Sequence, residues 1–128
     1  MLTLICGHPR AGKTTFSKKY ENICPVIHID EIHSSVRVMQ KVRAISGDVV
    51  VDGIYYTPRE RKELLASYRG SGTRCICLDT PKEIREERMH RKIRKDYPFL
   101  VPTLDEGWDE IIIIRGNDEQ RYSRQKQN

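Results

Sequence analysis

The sequence predicts an α/β fold: a parallel sheet of five strands with helices on both faces. Three observations carry this. Five short apolar runs, rich in Val and Ile, recur along the chain. Longer charged segments with helical spacing separate them. Gly, Pro or Asp stands at or beside the bounds of each run. Runs of that length and make-up read as strands buried on both faces. Their alternation with helices calls for parallel pairing through right-handed crossovers, a doubly wound sheet.

The first strand is Leu2-Thr3-Leu4-Ile5-Cys6, ending in glycine, and a helix from Lys13 to Tyr20 follows it. The second is Pro25-Val26-Ile27-His28-Ile29. Its helix spans Ser34 to Ile45, with Val38, Val42 and Ile45 on one side. Asp48-Val49-Val50-Val51-Asp52 is the third. The helix after it runs from Pro58, suited to a first turn, to Arg69, with Gly70 as a stop. Arg74 to Leu78 is the fourth strand, and a helix over Pro81–Lys95 follows. Ile111 to Ile114, wholly β-branched, is the fifth. Residues 117–128 (NDEQRYSRQKQN) are polar and lack a core-facing pattern, which predicts a frayed tail or a short surface helix beyond a domain of residues 1–116.

At 128 residues with 38% hydrophobic content the chain suits one domain with a modest core. No apolar run approaches the roughly twenty residues of a membrane span. The opening residues lack the pattern of a signal peptide. Cys6, Cys24, Cys75 and Cys77 lack zinc-ligand spacing, and Cys75 and Cys77 alternate on one strand face. Reduced, buried thiols and a cytoplasmic location are the expectation.

Gly7-His8-Pro9-Arg10-Ala11-Gly12-Lys13-Thr14 fits G-x-x-x-x-G-K-[ST] between a strand and a helix. In such a loop, glycines let backbone amides close on phosphate oxygens. Lys13 is expected at the β- and γ-phosphates and Thr14 at Mg²⁺, with Thr15 next in the cradle and Arg10 adding charge. ATP and Mg²⁺ are the implied ligands.

Other candidates are marked by position. Asp30 lies just past the second strand, on the rim where such sheets bind ligands, and suits a base that takes a proton from an acceptor hydroxyl. It also suits a helix cap. Asp52 closes a Val-Val-Val-Asp run and suits either Mg²⁺ or the acceptor. Tyr55 and Tyr56, in the loop after it, suit base stacking or core packing. Arg59 is a candidate acceptor contact. Residues 82–95 hold seven Lys or Arg against three Glu. On a continuous helix, Arg88, Arg91, Lys92 and Lys95 share one face, a basic lid whose arginines close on the phosphates.

Together GHPRAGKTT, HIDE, VVVDGIYYTPRERKELL, LDTPKEIREERMHRK and PTLDEGWDEIIII resemble the polynucleotide-kinase-like phosphate-loop kinases, in particular the 5′-hydroxyl kinase domain of phage-type polynucleotide kinases. The resemblance runs to about residue 115. Its more specific parts are the Asp52-to-Arg61 spacing and the Pro102–Trp108 run. It implies that Lys13 and Thr14 contact phosphate and metal, that Asp30 is the general base, that Asp52 serves the acceptor site, and that Arg88 or Arg91 is a lid arginine. Those kinases place an arginine three residues after the base to grip the acceptor phosphate; here His33 stands there. Phage kinases that phosphorylate 5-hydroxymethyluracil within DNA are similar too. The net charge of +5, with the basic lid and Arg121, Arg124 and Lys126, fits a nucleic-acid acceptor, DNA favoured. The chain has little room for the helical insert that encloses small-metabolite acceptors. A small-metabolite kinase and a non-catalytic nucleotide-binding regulator are the other two readings.

Overall fold

The computed structural model describes residues 1–124; Lys126 and the rest of 125–128 lie outside the described residues. Six strands form one sheet in the order β2-β3-β1-β4-β5-β6. They are β1 (Leu2–Cys6), β2 (Val26–His28), β3 (Val49–Gly53), β4 (Thr73–Leu78), β5 (Glu110–Arg115) and β6 (Asp118–Ser123). The first five pair in parallel, as the apolar runs require, and β1 lies between β3 and β4.

Alternate residues on each strand feed two cores. Leu2, Leu4 and Cys6 face one side with Val49, Val51, Cys75 and Cys77. There Val38 and Val42 of α3 (Ser35–Arg43) and Leu64 of α4 (Pro58–Ser67) cover them. Ile5, Val50, Ile76 and Ile112 face the other side, against Ala11 and Phe16. All four thiols are free; Cys6, Cys75 and Cys77 are buried, as expected, with Cys6 Sγ 3.6 Å from Cys75 Sγ, whereas Cys24 is only partly buried.

Two elements depart from the expected pattern. The polar tail is neither frayed nor helical over 118–123. It is the strand β6, antiparallel to β5, with Gly116-Asn117 as a two-residue turn. Gly116 has φ +60°, the positive value that a hairpin of this length needs at its first turn position. The sheet therefore has six strands, not five. The helix expected over Pro81–Lys95 is only α5 (Lys82–Met89). His90 turns left-handed at φ +57°, and its amide bonds Glu87 O while that of Arg91 bonds Glu86 O. This is a Schellman stop with His where Gly is usual. The shared face of Arg88, Arg91, Lys92 and Lys95 is thereby broken.

A buried brace ties the two more specific sequence segments together. Arg61 on α4 donates from Nε and Nη2 to Glu106 at 2.7 and 2.9 Å, and from Nη1 to Tyr55 O at 2.8 Å. Trp108 Nε1 donates to the same carboxylate at 3.1 Å. Every polar atom of that carboxylate is thus used, which is what makes a charge pair tolerable in a core. The brace fixes the loop after β3 to the segment before β5.

Among the described residues, no helix is long and apolar enough to cross a membrane.

Candidate active site

The carboxyl ends of the parallel strands meet beside β1, where the strand order reverses and such sheets seat ligands. Chain geometry there is demanding. A Cβ on Gly7 would stand 2.6 Å from Leu78 O, so only glycine lets the loop leave β1 so close to β4. Gly12 has φ +101°, and Arg10 is left-handed at φ +65°. The loop then enters α1 (Lys13–Ser17), which continues as one 3₁₀ turn to Tyr20. Thr80, just after β4, donates to Ala11 O at 3.0 Å and holds the loop from outside.

Lys13 is buried, and its Nζ donates to His8 O at 2.8 Å. Burial lowers its pKa, because leaving water disfavours the charged form; Asp52 first, then Asp30, act in the opposite sense. Thr14 and Thr15 are exposed and, with Arg10, Gly12, Lys13, Asp30 and Arg88, line a cleft of about 1080 Å³. Arg88, in the last turn of α5, lies over the loop. Its Nη1 donates to Arg10 O at 2.8 Å and stands 3.6 Å from where a Gly12 Cβ would be.

Asp30 lies in α2 (Ile29–Ile32), a single turn whose cap is His28. Its carboxylate is exposed and takes no hydrogen bond from the described residues, so it is not spent as a cap. It borders both the phosphate cleft and a neighbouring cavity of about 410 Å³. His33, left-handed at φ +55°, and Tyr56 border that cavity too.

Other expected residues are placed differently. Asp52 is buried and lines neither cavity; its Oδ2 accepts from Ser17 Oγ at 2.9 Å and meets His28 Nδ1 at 3.1 Å. It belongs to the floor of the loop, close enough to Lys13 to support its charge. Tyr55 reaches the smaller cavity but is a core residue with its ring against Gly53, and burial pushes its phenol well up. Arg59 lines neither cavity: its side chain is 89% exposed, with Nε 3.5 Å from a carboxylate oxygen of Glu63, which borders the cavity beside Asp30. Arg91 is separated from the phosphate cleft because α5 stops before it, and it lines a different cavity. Ser17, His28 and Thr80 are contributors that sequence reasoning missed. Only His28, at a strand end beside Ile29-Asp30, carried a positional signal.

His8 ties the phosphate loop to the segment after α5: its Nε2 is 2.8 Å from Tyr97 O and 3.6 Å from Asp96 Oδ1. Arg85 holds the same segment with a bidentate pair to Asp96, 2.9 Å at each oxygen. That pair keeps the Asp96 carboxyl below its ordinary range.

No protein-family model and no curated protein matches the sequence. Solved structures do match the fold. The chain is similar to Kti12 of Chaetomium thermophilum in complex with ADP-AlF3, at TM-score 0.69 and 15% identity over 92% of this chain and 90% of that one. It is similar to a sugar kinase from Janibacter sp. HTCC2649, at TM-score 0.60 and 15% identity over 89% and 84%. Fold and loop together define the class: an α/β chain with the P-loop kinase fold.

Proposed function

We propose that this protein is an ATP-dependent phosphotransferase that moves a γ-phosphoryl group to an alcohol, and that the alcohol is carried on nucleic acid, as a 5′-hydroxyl end or as the hydroxymethyl group of a modified base. One observation carries the transfer reading. A single cleft is lined by Lys13, Thr14 and Arg88 together with Asp30, whose carboxylate takes no hydrogen bond from the described residues. That is the arrangement in-line transfer needs: cations where charge collects and a base where the hydroxyl enters.

In this reading the triphosphate lies along Gly7–Thr15. Lys13 exchanges its bond to His8 O for phosphate oxygens, and Arg88 exchanges Arg10 O in the same way. Both cations rest on backbone carbonyls, so little rearrangement brings them to an anion. Asp30 accepts the proton of the acceptor hydroxyl held in the adjoining cavity. Thr14, exposed in the cleft, and Asp52, buried beneath the loop with one carboxylate oxygen outside its hydrogen bonds, are the residues that would hold a Mg²⁺ ion. Such an ion, when bound, would supply charge neutralisation at the phosphates.

A second reading, a small-metabolite kinase, has one observation behind it. The cavity beside Asp30 is of small-molecule size and holds Glu60 and Glu63 but no Lys or Arg. A neutral sugar or nucleoside alcohol fits it better than a phosphate does.

The test is a panel assay with γ-labelled ATP. Acceptors are DNA with 5′-hydroxyl ends, DNA containing 5-hydroxymethyluracil, unmodified 5′-phosphorylated DNA, free nucleosides and sugars. Label on either DNA alcohol supports the proposal. Label confined to a nucleoside or sugar supports the second reading. ATP binding with no transfer to any acceptor leaves a nucleotide-binding regulator and ends the enzyme assignment.

A further inference from the structure

Outside the phosphate cleft lies a cavity of about 670 Å³, built where the chain turns back after α5. Arg91, Lys92, Arg94 and Lys95 line it, with Tyr97 and Tyr56. The stop at His90 shapes this wall: a continued helix would have kept these cations on a face shared with Arg88, whereas the left-handed turn parts them from Arg88, and four of five successive residues line a concave surface of their own. Arg85 and Asp96 also border the cavity, but their charges cancel in the bidentate pair. None of the four cations makes an ion pair with the described residues. The uncompensated charge is therefore strongly positive, and it is not explained by folding.

Charge is paired with exposed aromatic surface. Tyr97 is 53% exposed; Lys95 Nζ stands over one face of its ring, 5.0 Å from the centroid, and the tilted Tyr56 ring lies 6.0 Å away. Phosphate alone gives no use for a solvent-facing tyrosine. A base does, since stacking on an aromatic face needs no particular sequence but does need the base unpaired from a duplex. The cavity also adjoins both parts of the candidate active site. Pro9 lines it and the phosphate cleft; Tyr56 lines it and the cavity beside Asp30.

We infer that this cavity binds single-stranded nucleic acid, its phosphates on Arg91, Lys92, Arg94 and Lys95 and a base on Tyr97, and so holds an acceptor strand at a distance from the reacting hydroxyl. The inference rests on the nucleic-acid reading of the acceptor proposed above. It divides the labour between two charged surfaces. The cavity beside Asp30, which carries carboxylates, receives only the uncharged reacting group. The cationic cavity across Tyr56 takes the backbone. It also gives Arg91 a binding task, where lid geometry had suggested contact with the transferred phosphoryl.

The experiment measures binding without turnover. A fluorescein-labelled dT12 oligonucleotide is titrated with the full chain by anisotropy, without ATP, from low to moderate salt. The parent protein is expected to bind with log K falling against log salt at a slope of about −3, four phosphates at roughly −0.7 each. The triple variant K92A/R94A/K95A, all on exposed side chains, is expected to flatten that slope by about 2 units and weaken binding at least tenfold at low salt. Tyr97→Leu is expected to weaken binding about tenfold with the slope unchanged. A duplex of the same sequence should bind more weakly than the single strand. Unchanged binding in the triple variant, equal affinity for duplex, or complete displacement of the oligonucleotide by saturating ATP would each overturn the inference. ATP binding followed in parallel tells the two ideas apart: a chain that binds ATP and transfers phosphate but fails these tests loses the cavity assignment alone, and one that binds the strand as described without transfer loses only the enzyme reading.

Discussion

Arg61 and Arg88 sit on successive helices of one sheet and are treated in opposite ways. Arg61 is buried, and Glu106 and a backbone carbonyl take up its guanidinium. Arg88 is exposed and bonds only the carbonyl of Arg10, with no carboxylate near enough to pair among the described residues. The first arrangement makes an arginine part of the scaffold. The second leaves its charge available to an anion. Arg85 lies between these cases, buried and paired with Asp96, bracing the segment that carries the basic cavity. An arginine's task here is decided by whether a carboxylate meets it, which its place in a basic run does not reveal.

Substitutions can break or sharpen this contrast. The largest effect is expected at the exposed arginine: Arg88→Ala should lower kcat about 10³-fold or more while the unfolding midpoint stays put. A loss of stability matching the loss of rate would put Arg88 with the scaffold. Asp30→Asn should lower kcat by about 10²–10⁴-fold with ATP binding retained, measured by transfer and by nucleotide titration. At Glu106 the reverse pattern is expected. Glu106→Gln leaves the Arg61 charge buried without its counter-ion and should cost about 3 kcal/mol in denaturant unfolding, with rate per folded molecule preserved.

The same carboxylate gives a pH signature. Burial, the largest influence on Glu106, pushes its pKa up, but hydrogen bonds from Arg61 outweigh it and hold the carboxyl below the ordinary 4.5. A depressed pKa stabilises the fold above the unfolded value and loses that contribution as pH falls through the folded one. Acid unfolding of the parent should therefore show a steep limb below about pH 4, shallower in Glu106→Gln. The smallest effect is expected at Arg59→Ala, within about 0.5 kcal/mol and without change in rate, because its pairing with Glu63 is solvent-screened.

How much of this was legible in the sequence depended on whether the determinant was local. Gly7–Thr14 was readable because strand, turn and helix succeed one another without a gap, and each glycine has a backbone reason. The five parallel strands were readable as apolar runs. Strand β6 was obscured because all six of its residues are exposed and polar, although Gly116-Asn117 is a hairpin signal. The end of α5 was hidden because a histidine, not a glycine, takes the left-handed position, and the next residues, Arg91 to Lys95, are mostly good helix formers. The burial of Asp52 and the pairing of Arg61 with Glu106, 45 residues apart, depend on tertiary contacts that no local pattern announces.

The most direct measurement is a crystal structure of the chain with Mg²⁺ and a non-hydrolysable ATP analogue. The account predicts the β- and γ-phosphates enclosed by the amides of Gly7–Thr14, with Lys13 and Arg88 moved from their carbonyls onto phosphate oxygens. It further predicts the Asp30 carboxylate across the γ-phosphate, with room for an acceptor oxygen about 3 Å from each. A triphosphate bound elsewhere, or an Asp30 side chain turned from the γ-phosphate, would contradict it.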